Sequence, residues 1–165
     1  MENIDNYLQI MIDSLNKKDE LLDRIIDKNR KQYECVKDKG YEDVDWDAFN
    51  LLVTEKDIAI NRIIEIDDGF EETYNIIKDE VISNKDKYRD KVAVLKEQIG
   101  RLTDKGVGIQ ADEERNRQII DNLFNKSRQD IRKQRTGINV ANAYYKTMSN
   151  SVVRAAEIST LDTKK

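Results

Sequence analysis

The side chains best able to do chemistry in this chain are its carboxylates, because it contains no histidine and only one cysteine. Without an imidazole there is no histidine base, no Ser-His-Asp or Cys-His pair and no histidine metal ligand. The neighbouring carboxylates Glu71/Glu72 and Glu113/Glu114 would point to different faces of a helix, which is typical of a solvated surface. We therefore expect no catalytic residue and no enzyme.

Metal and cofactor sites are not indicated either. Cys35 has no second cysteine with which to form an internal disulfide or a zinc site of the usual kind, so we interpret it as a small buried or half-buried apolar residue. The glycines of TDKGVGIQ are not accompanied by the lysine of a phosphate-binding loop. We expect no cofactor and no metal.

The charges are unevenly distributed along the chain. Residues 1–114 hold 18 Lys and Arg and 29 Asp and Glu (net −11), whereas residues 115–165 hold 11 and 4 (net +7), which together give −4. The densest basic segment, residues 126–135, could touch phosphates, but no aromatic residue interleaves it, so we expect no nucleic-acid partner. Either the acidic and basic parts attract each other within one bundle, or the basic part meets an acidic partner.

Long helices must position these side chains, because apolar residues recur at alternating steps of three and four along most of the chain. Such a period of 3.5 residues predicts helices packed side by side as a coiled coil, and the chain has no proline to interrupt them. The longest run comprises Trp46, Phe49, Val53, Lys56, Ile60, Ile63, Asp67, Phe70, Tyr74, Ile77, Val81, Asn84 and Tyr88.

The pattern predicts three helices. The first covers residues 4–37 and ends before a left-handed cap at Gly40, and Asp45 or Asp47 caps the second. The second covers residues 46–103, and a turn at residues 103–108 leads to a third over residues 111–148. Because the apolar register continues through Gly106, a continuous helix of about 100 residues remains an alternative to this turn.

These lengths predict an all-α, elongated antiparallel three-helix coiled-coil bundle with a long central helix. The three helices would overlap only near residues 70–77, and the two-helix arms would leave apolar edges open to a partner or a second copy. We assign residues 1–148 to the bundle domain and residues 149–165 to a flexible tail or a tail ordered by a partner.

No apolar run is long enough to span a membrane, and the first 20 residues do not resemble a secretory signal, so we expect no membrane insertion and a cytoplasmic protein. Near the end of the third helix, Tyr144, Tyr145 and Met148 follow the small residues Ala141 and Ala143. They would either close the bundle or form a docking face that continues into the tail.

The chain resembles bacterial flagellar export chaperones of the FlgN type, which overlap in character with the FliT type. The resemblance covers about residues 1–150 and lies in YLQIMIDSLNKKDELLDRII, WDAFNLLVTEKDIAINRI, EERNRQIIDNLF and NVANAYYKTM. It implies a cytosolic helical chaperone that binds the terminal helices of hook–filament junction or filament cap proteins and delivers them to the export gate. The implied client-binding residues are Ile138, Ala141, Tyr144, Tyr145, Met148, Val152 and Val153.

The resemblance also implies that Tyr144 or Tyr145 contacts the export machinery. A homodimer remains open. The alternative function is a structural coiled-coil scaffold or tether, which needs the same heptad pattern and no client.

Overall fold

The computed structural model describes residues 3–127, residue 143 and residues 146–148. Its three long helices are α1 (Ile4–Val36), α2 (Trp46–Ser83) and α3 (Arg89–Lys126), and a short 3₁₀ turn, Tyr41–Asp43, lies between α1 and α2. No strand occurs among the described residues. The prediction of an all-α protein is therefore confirmed for this part of the chain.

The predicted long central helix is wrong, because the chain turns between Ser83 and Arg89. At this turn the backbone N–H of Asn84 donates to the carbonyl oxygen of Glu80 over 3.1 Å, and its side-chain amide donates to the same oxygen. Residues 83–87 are all polar, so no apolar seam holds them in a helix. The second and third helices contain 38 residues each, close to the 33 of α1.

The predicted turn at residues 103–108 is also wrong, because this segment lies inside α3. The alternative of an unbroken helix across Gly106 and Gly108 is correct at this point. Leu102, Gly106 and Ile109 are all buried there, as the continuous register requires. The third helix accordingly covers Arg89–Lys126 and not residues 111–148.

Helix α1 is the element that contacts both of the others, whereas no Cα atoms of α2 and α3 lie within 8 Å of each other. Its partners on α2 descend in number from Asp67 opposite Lys18 to Lys56 opposite Asn29, so these helices are antiparallel. Its partners on α3 ascend from Lys91 opposite Asp5 to Asn116 opposite Asn29, so these helices are parallel.

The contacts between α1 and α3 thus cover most of α1, and the predicted two-helix arms with open seams are not present in the described residues. The core consists of heptad positions from all three helices, because one apolar stripe on each helix has to leave water. Each fully buried Leu or Ile contributes on the order of 1.5–3 kcal/mol. The seam residues exposed by 1% or less include Ile25, Ile60, Ile63, Ile77 and Ile109.

The connection after α1 differs from the expected glycine cap. The left-handed residue is Asp38, with φ at 55°, whereas Gly40 has φ at −80°. Aspartate tolerates this conformation better than most residues because its short side chain can bond locally. The predicted cap of α2 is confirmed for Asp45, whose carboxylate accepts from the backbone N–H of Ala48 over 3.0 Å.

An aromatic cluster closes the end of the bundle where this connection meets α3. Trp46 stacks on Phe124 with ring centroids 5.4 Å apart, and Tyr41 lies 5.2 Å from Trp46. The indole N–H of Trp46 donates to the carbonyl oxygen of Tyr41 over 3.1 Å. Because Phe124 belongs to the last turn of α3, the cluster ties that turn to the start of α2.

Three helical glycines have room for a side chain. A Cβ atom added at Gly69, Gly100 or Gly108 would meet no heavy atom within 4 Å, and none of them has a positive φ. We expect Gly69→Ala, Gly100→Ala and Gly108→Ala each to raise the free energy of unfolding by about 0.5–1 kcal/mol, because alanine restricts the unfolded chain and favours helix. Urea unfolding measures this.

The matched control is the reverse change at an exposed helical site. Ala111→Gly in α3 should lower the free energy of unfolding by a similar amount. A loss of stability in all three glycine variants would contradict the helical placement of these residues.

Candidate partner-binding surface

Met148 is the one predicted client-binding residue that lies among the described residues. It is 2% exposed and belongs to the same apolar core cluster as the seams of the three helices. Ala143 and Lys146 are exposed, and the hydroxyl of Thr147 donates to the carbonyl oxygen of Ala143 over 3.0 Å, as in a helical turn. Six predicted residues lie outside the described part: Ile138, Ala141, Tyr144, Tyr145, Val152 and Val153. The role of all seven remains a prediction.

The most ionic part of the interior surrounds Lys56, which is 1% exposed. Its ammonium group donates to Asn29 Oδ1 over 2.7 Å and to Glu113 Oε1 over 3.0 Å, so one side chain of α2 binds α1 and α3 together. Asn116 of α3 donates its side-chain amide to the carbonyl oxygen of Asn29 over 3.1 Å. Side chains of this cluster therefore connect α2 and α3, although no Cα atoms of these two helices lie within 8 Å of each other.

Burial lowers the pKa of Lys56 to about 8, because the charged ammonium loses its water, and the neighbouring Glu113 opposes this shift only in part. At neutral pH the amine is therefore still mostly protonated and paired. Lys56, Asn29 and Glu113 are all buried, and Lys56 also contributes to the lining of the groove described below. Buried ionic contacts of this kind can fix the register of packed helices.

A second buried ion pair fixes α1 against α2. The ammonium group of Lys18 lies 2.7 Å from Asp67 Oδ1, and both side chains are at most 5% exposed. Along α1 and α3, Lys105 contacts both Asp19 and Asp23, and the amide of Gln98 donates to Asn16 Oδ1 over 2.8 Å. These polar contacts restrict how far the helices can slide past one another.

An open groove with a volume of about 750 Å³ lies between α1 and α2. Its buried lining consists of the apolar residues Leu21 and Ile25 from α1 and Ala59 from α2, all at most 6% exposed, together with the buried Lys56. The ion pair between Lys28 and Glu55, with nitrogen and oxygen 2.7 Å apart, crosses from α1 to α2 within this lining. The remaining charged lining residues are Lys17, Arg24, Lys56, Arg62 and Glu65.

Exposed apolar residues continue along the outer face of α2 beside this groove. Leu51 is 59% exposed and Ile58 is 67% exposed, and their separation of seven residues places them on one face of the helix. Ile58 also lines the groove. Large apolar side chains at such positions do not stabilise the core, so a row of them beside a groove is a candidate contact surface.

Metal sites and membrane spans are two further kinds of functional feature. Among residues 3–127, 143 and 146–148, no group of three or more His, Cys, Asp or Glu side chains is placed to hold a metal ion. No helix in this part combines the length and apolar character needed to cross a membrane.

Comparison of the chain with protein-family models, with curated proteins and with solved structures found no match.

Sequence reasoning missed the groove between α1 and α2. A signal was present: Lys17, Leu21, Arg24 and Lys28 follow one another at steps of four, three and four beside the seam of α1. Leu51 and Ile58 likewise lie off the seam of α2 at heptad spacing. Which side of α2 faces these residues of α1 depends on the register in which Lys18 lies opposite Asp67, and the heptad pattern does not determine that register.

Stability should depend on pH through Lys56. Its folded-state pKa of about 8 lies below the 10.5 of an ordinary lysine, so the unfolded chain binds more protons between these values and stability rises with pH there. From pH 7 to pH 9.5 the contribution of Lys56 to the free energy of unfolding should increase by about 2 kcal/mol. Urea unfolding at both pH values measures the change.

The control is the double variant Lys56→Met/Glu113→Leu, which replaces the buried pair by apolar side chains of similar volume. It shares every other titrating group, including Cys35, whose pKa burial raises. The difference between the pH profiles of the two proteins gives the contribution of Lys56 to the free energy of unfolding. Parallel pH profiles for wild type and double variant would show that Lys56 is not desolvated as described.

Proposed function

We propose that this chain is a cytoplasmic, non-catalytic secretion chaperone similar to the FlgN-type flagellar export chaperones. It binds the terminal helices of hook–filament junction or filament cap proteins and delivers them to the export apparatus. In this proposal the three described helices form a coiled-coil bundle, and the residues beyond α3 provide the client-docking face. The proposal is supported by the sequence resemblance and by the packing of Met148.

The burial of Met148 is the observation on which this proposal depends. The residue follows the end of α3 at Lys126 by a considerable length of chain, yet its side chain joins the core cluster of the helices. Met148 thereby packs on the bundle, while its described neighbours Ala143 and Lys146 stay exposed. An amphipathic client helix would compete for, or add to, the same kind of packing.

The alternative function is a structural coiled-coil scaffold or tether. A stable dimer with a fully paired helix of about 100 residues would favour it. The turn between Ser83 and Arg89 divides this stretch, and the seam positions of α2 and α3 are buried within one chain. These observations support the chaperone as the function that we propose first.

Client binding tests the proposal. We expect the full chain to bind terminal peptides of hook–filament junction or cap proteins with a Kd below about 100 μM, measured by fluorescence anisotropy. Met148→Ala should weaken binding at least tenfold, since it removes the buried contact by which this segment packs on the bundle. Deletion of residues 149–165 should also weaken binding, because Val152 and Val153 belong to the proposed docking face.

Two controls separate binding from folding. Leu8→Ala removes a side chain of α1 that is also 2% exposed. It should lower the free energy of unfolding by about 2–5 kcal/mol without changing the affinity of the folded protein for the client peptide. Lys146→Ala removes an exposed side chain next to the site and should leave both unchanged. Unaltered client binding after the deletion of residues 149–165 would reject the docking face, and no binding to any such peptide would reject the chaperone proposal.

A further inference from the structure

The groove between α1 and α2 has the composition of a binding surface for a helix. Its floor of Leu21, Ile25 and Ala59 is apolar and buried, and Ile58 on its α2 side is 67% exposed. A helix that lies between two others on such a surface buries apolar side chains on the floor and keeps its charges at the rim. The groove does not include Met148 or any residue of α3.

The rim carries more basic than acidic groups, although the first two thirds of the chain are strongly acidic. Lys28 and Arg62 have carboxylate partners within the rim, Glu55 at 2.7 Å and Glu65 at 3.6 Å. Among the described residues, no ion pair joins Lys17 or Arg24 to a carboxylate, and both are exposed. The groove therefore offers two uncompensated positive charges on its α1 side.

The spacing of these two charges matches the repeat of a helix. Lys17 and Arg24 are seven residues apart, which corresponds to two turns and about 10.5 Å along α1. Leu51 and Ile58 repeat at the same interval on α2. A partner helix that lies along the groove repeats its own face every seven residues, so it can present a carboxylate to each basic group in turn.

We propose that the groove between α1 and α2 binds an acidic amphipathic helix of another protein, with its apolar stripe on Leu21, Ala59 and Ile58 and its carboxylates on Lys17 and Arg24. Met148 is not among the residues that line this groove, and the proposal does not depend on the client proposal.

A second copy of the chain is a poorer occupant. The exposed acidic residues Glu97 and Asp104 are also seven residues apart, but they belong to α3, which contributes nothing to the groove. A contact between the groove of one copy and α3 of another would use two different surfaces. Such heterologous contacts close into rings only at particular rotations and otherwise form open chains.

The probe is a fluorescent 21-residue helical peptide with leucine at its apolar heptad positions and glutamate at flanking positions seven residues apart. A peptide with lysine at the flanking positions is its matched partner. We expect the acidic peptide to bind the full chain with a Kd below about 100 μM and at least tenfold more tightly than the basic peptide. Fluorescence anisotropy at low and physiological salt measures both.

The variant Lys17→Glu/Arg24→Glu should bind the acidic peptide at least tenfold more weakly than the wild type does, and it should bind the basic peptide more tightly. The control Lys39→Glu/Lys96→Glu makes the same change in net charge at exposed positions away from the groove and should have a much smaller effect. Lys17→Ala/Arg24→Ala and Ile58→Ser should weaken binding with unchanged circular dichroism, since all three side chains are exposed.

The possible outcomes of these measurements distinguish which kind of molecule occupies the groove. Equal losses in the groove and control variants would reduce the effect to overall charge and overturn the proposal. Self-association that grows with concentration in sedimentation and disappears in Lys17→Glu/Arg24→Glu would assign the groove to a second copy instead. Tight, salt-sensitive binding of DNA or RNA that is lost in the same variant would assign it to nucleic acid. Because Met148 lies outside the groove, client binding that persists in this variant leaves the two proposals distinguishable.

Discussion

A protonated amine buried at the centre of a helical bundle has to be met by oxygen atoms, and Lys56 meets them on both of the other helices. Asn29 of α1 and Glu113 of α3 accept from its ammonium group at 2.7 and 3.0 Å. Sliding any helix by one heptad would leave this charge facing an apolar side chain, at a cost of several kcal/mol. Together with the pair of Lys18 and Asp67, this arrangement fixes the register of the helices.

The groove between α1 and α2 is a consequence of that register. Asn29 opposite Lys56 and Lys18 opposite Asp67 set α1 against α2, and the groove lies alongside this stretch of the two helices. One effect of the buried polar groups is to bring Ile58 of α2 to the same surface as Lys17 and Arg24 of α1, although Ile58 is far from them in the sequence.

The heptad pattern predicted much of the interior, because burial of a repeated apolar stripe dominates the energetics of long helices. It did not predict where the helices end. Gly106 and Gly108 suggested a turn, but a helical glycine costs only about 1 kcal/mol, which buried neighbours such as Leu102 and Ile109 outweigh. The real turn at Asn84 has neither glycine nor proline, and its signal was the run of polar residues after Ser83.

The cap after α1 was misassigned for a related reason. Gly40 suited a left-handed position by type, but the chain takes that conformation at Asp38, two residues earlier. The interpretation of Glu113 as part of a solvated surface is wrong, because its side chain is 4% exposed and pairs with the buried Lys56. Pairings across 57 residues become visible only after the turn at Asn84 is located.

The position of α1 at the centre of the packing has a consequence for synthesis on the ribosome. Its contacts with α3 join residues 82 to 87 positions apart, so the first helix to emerge is the last to be completed. At about 5–20 residues per second, the apolar side of α1 that faces α3 stays uncovered for several seconds after α1 and α2 have been made. The nascent chain passes through a stage in which this protein itself presents an unpaired helix face to other proteins.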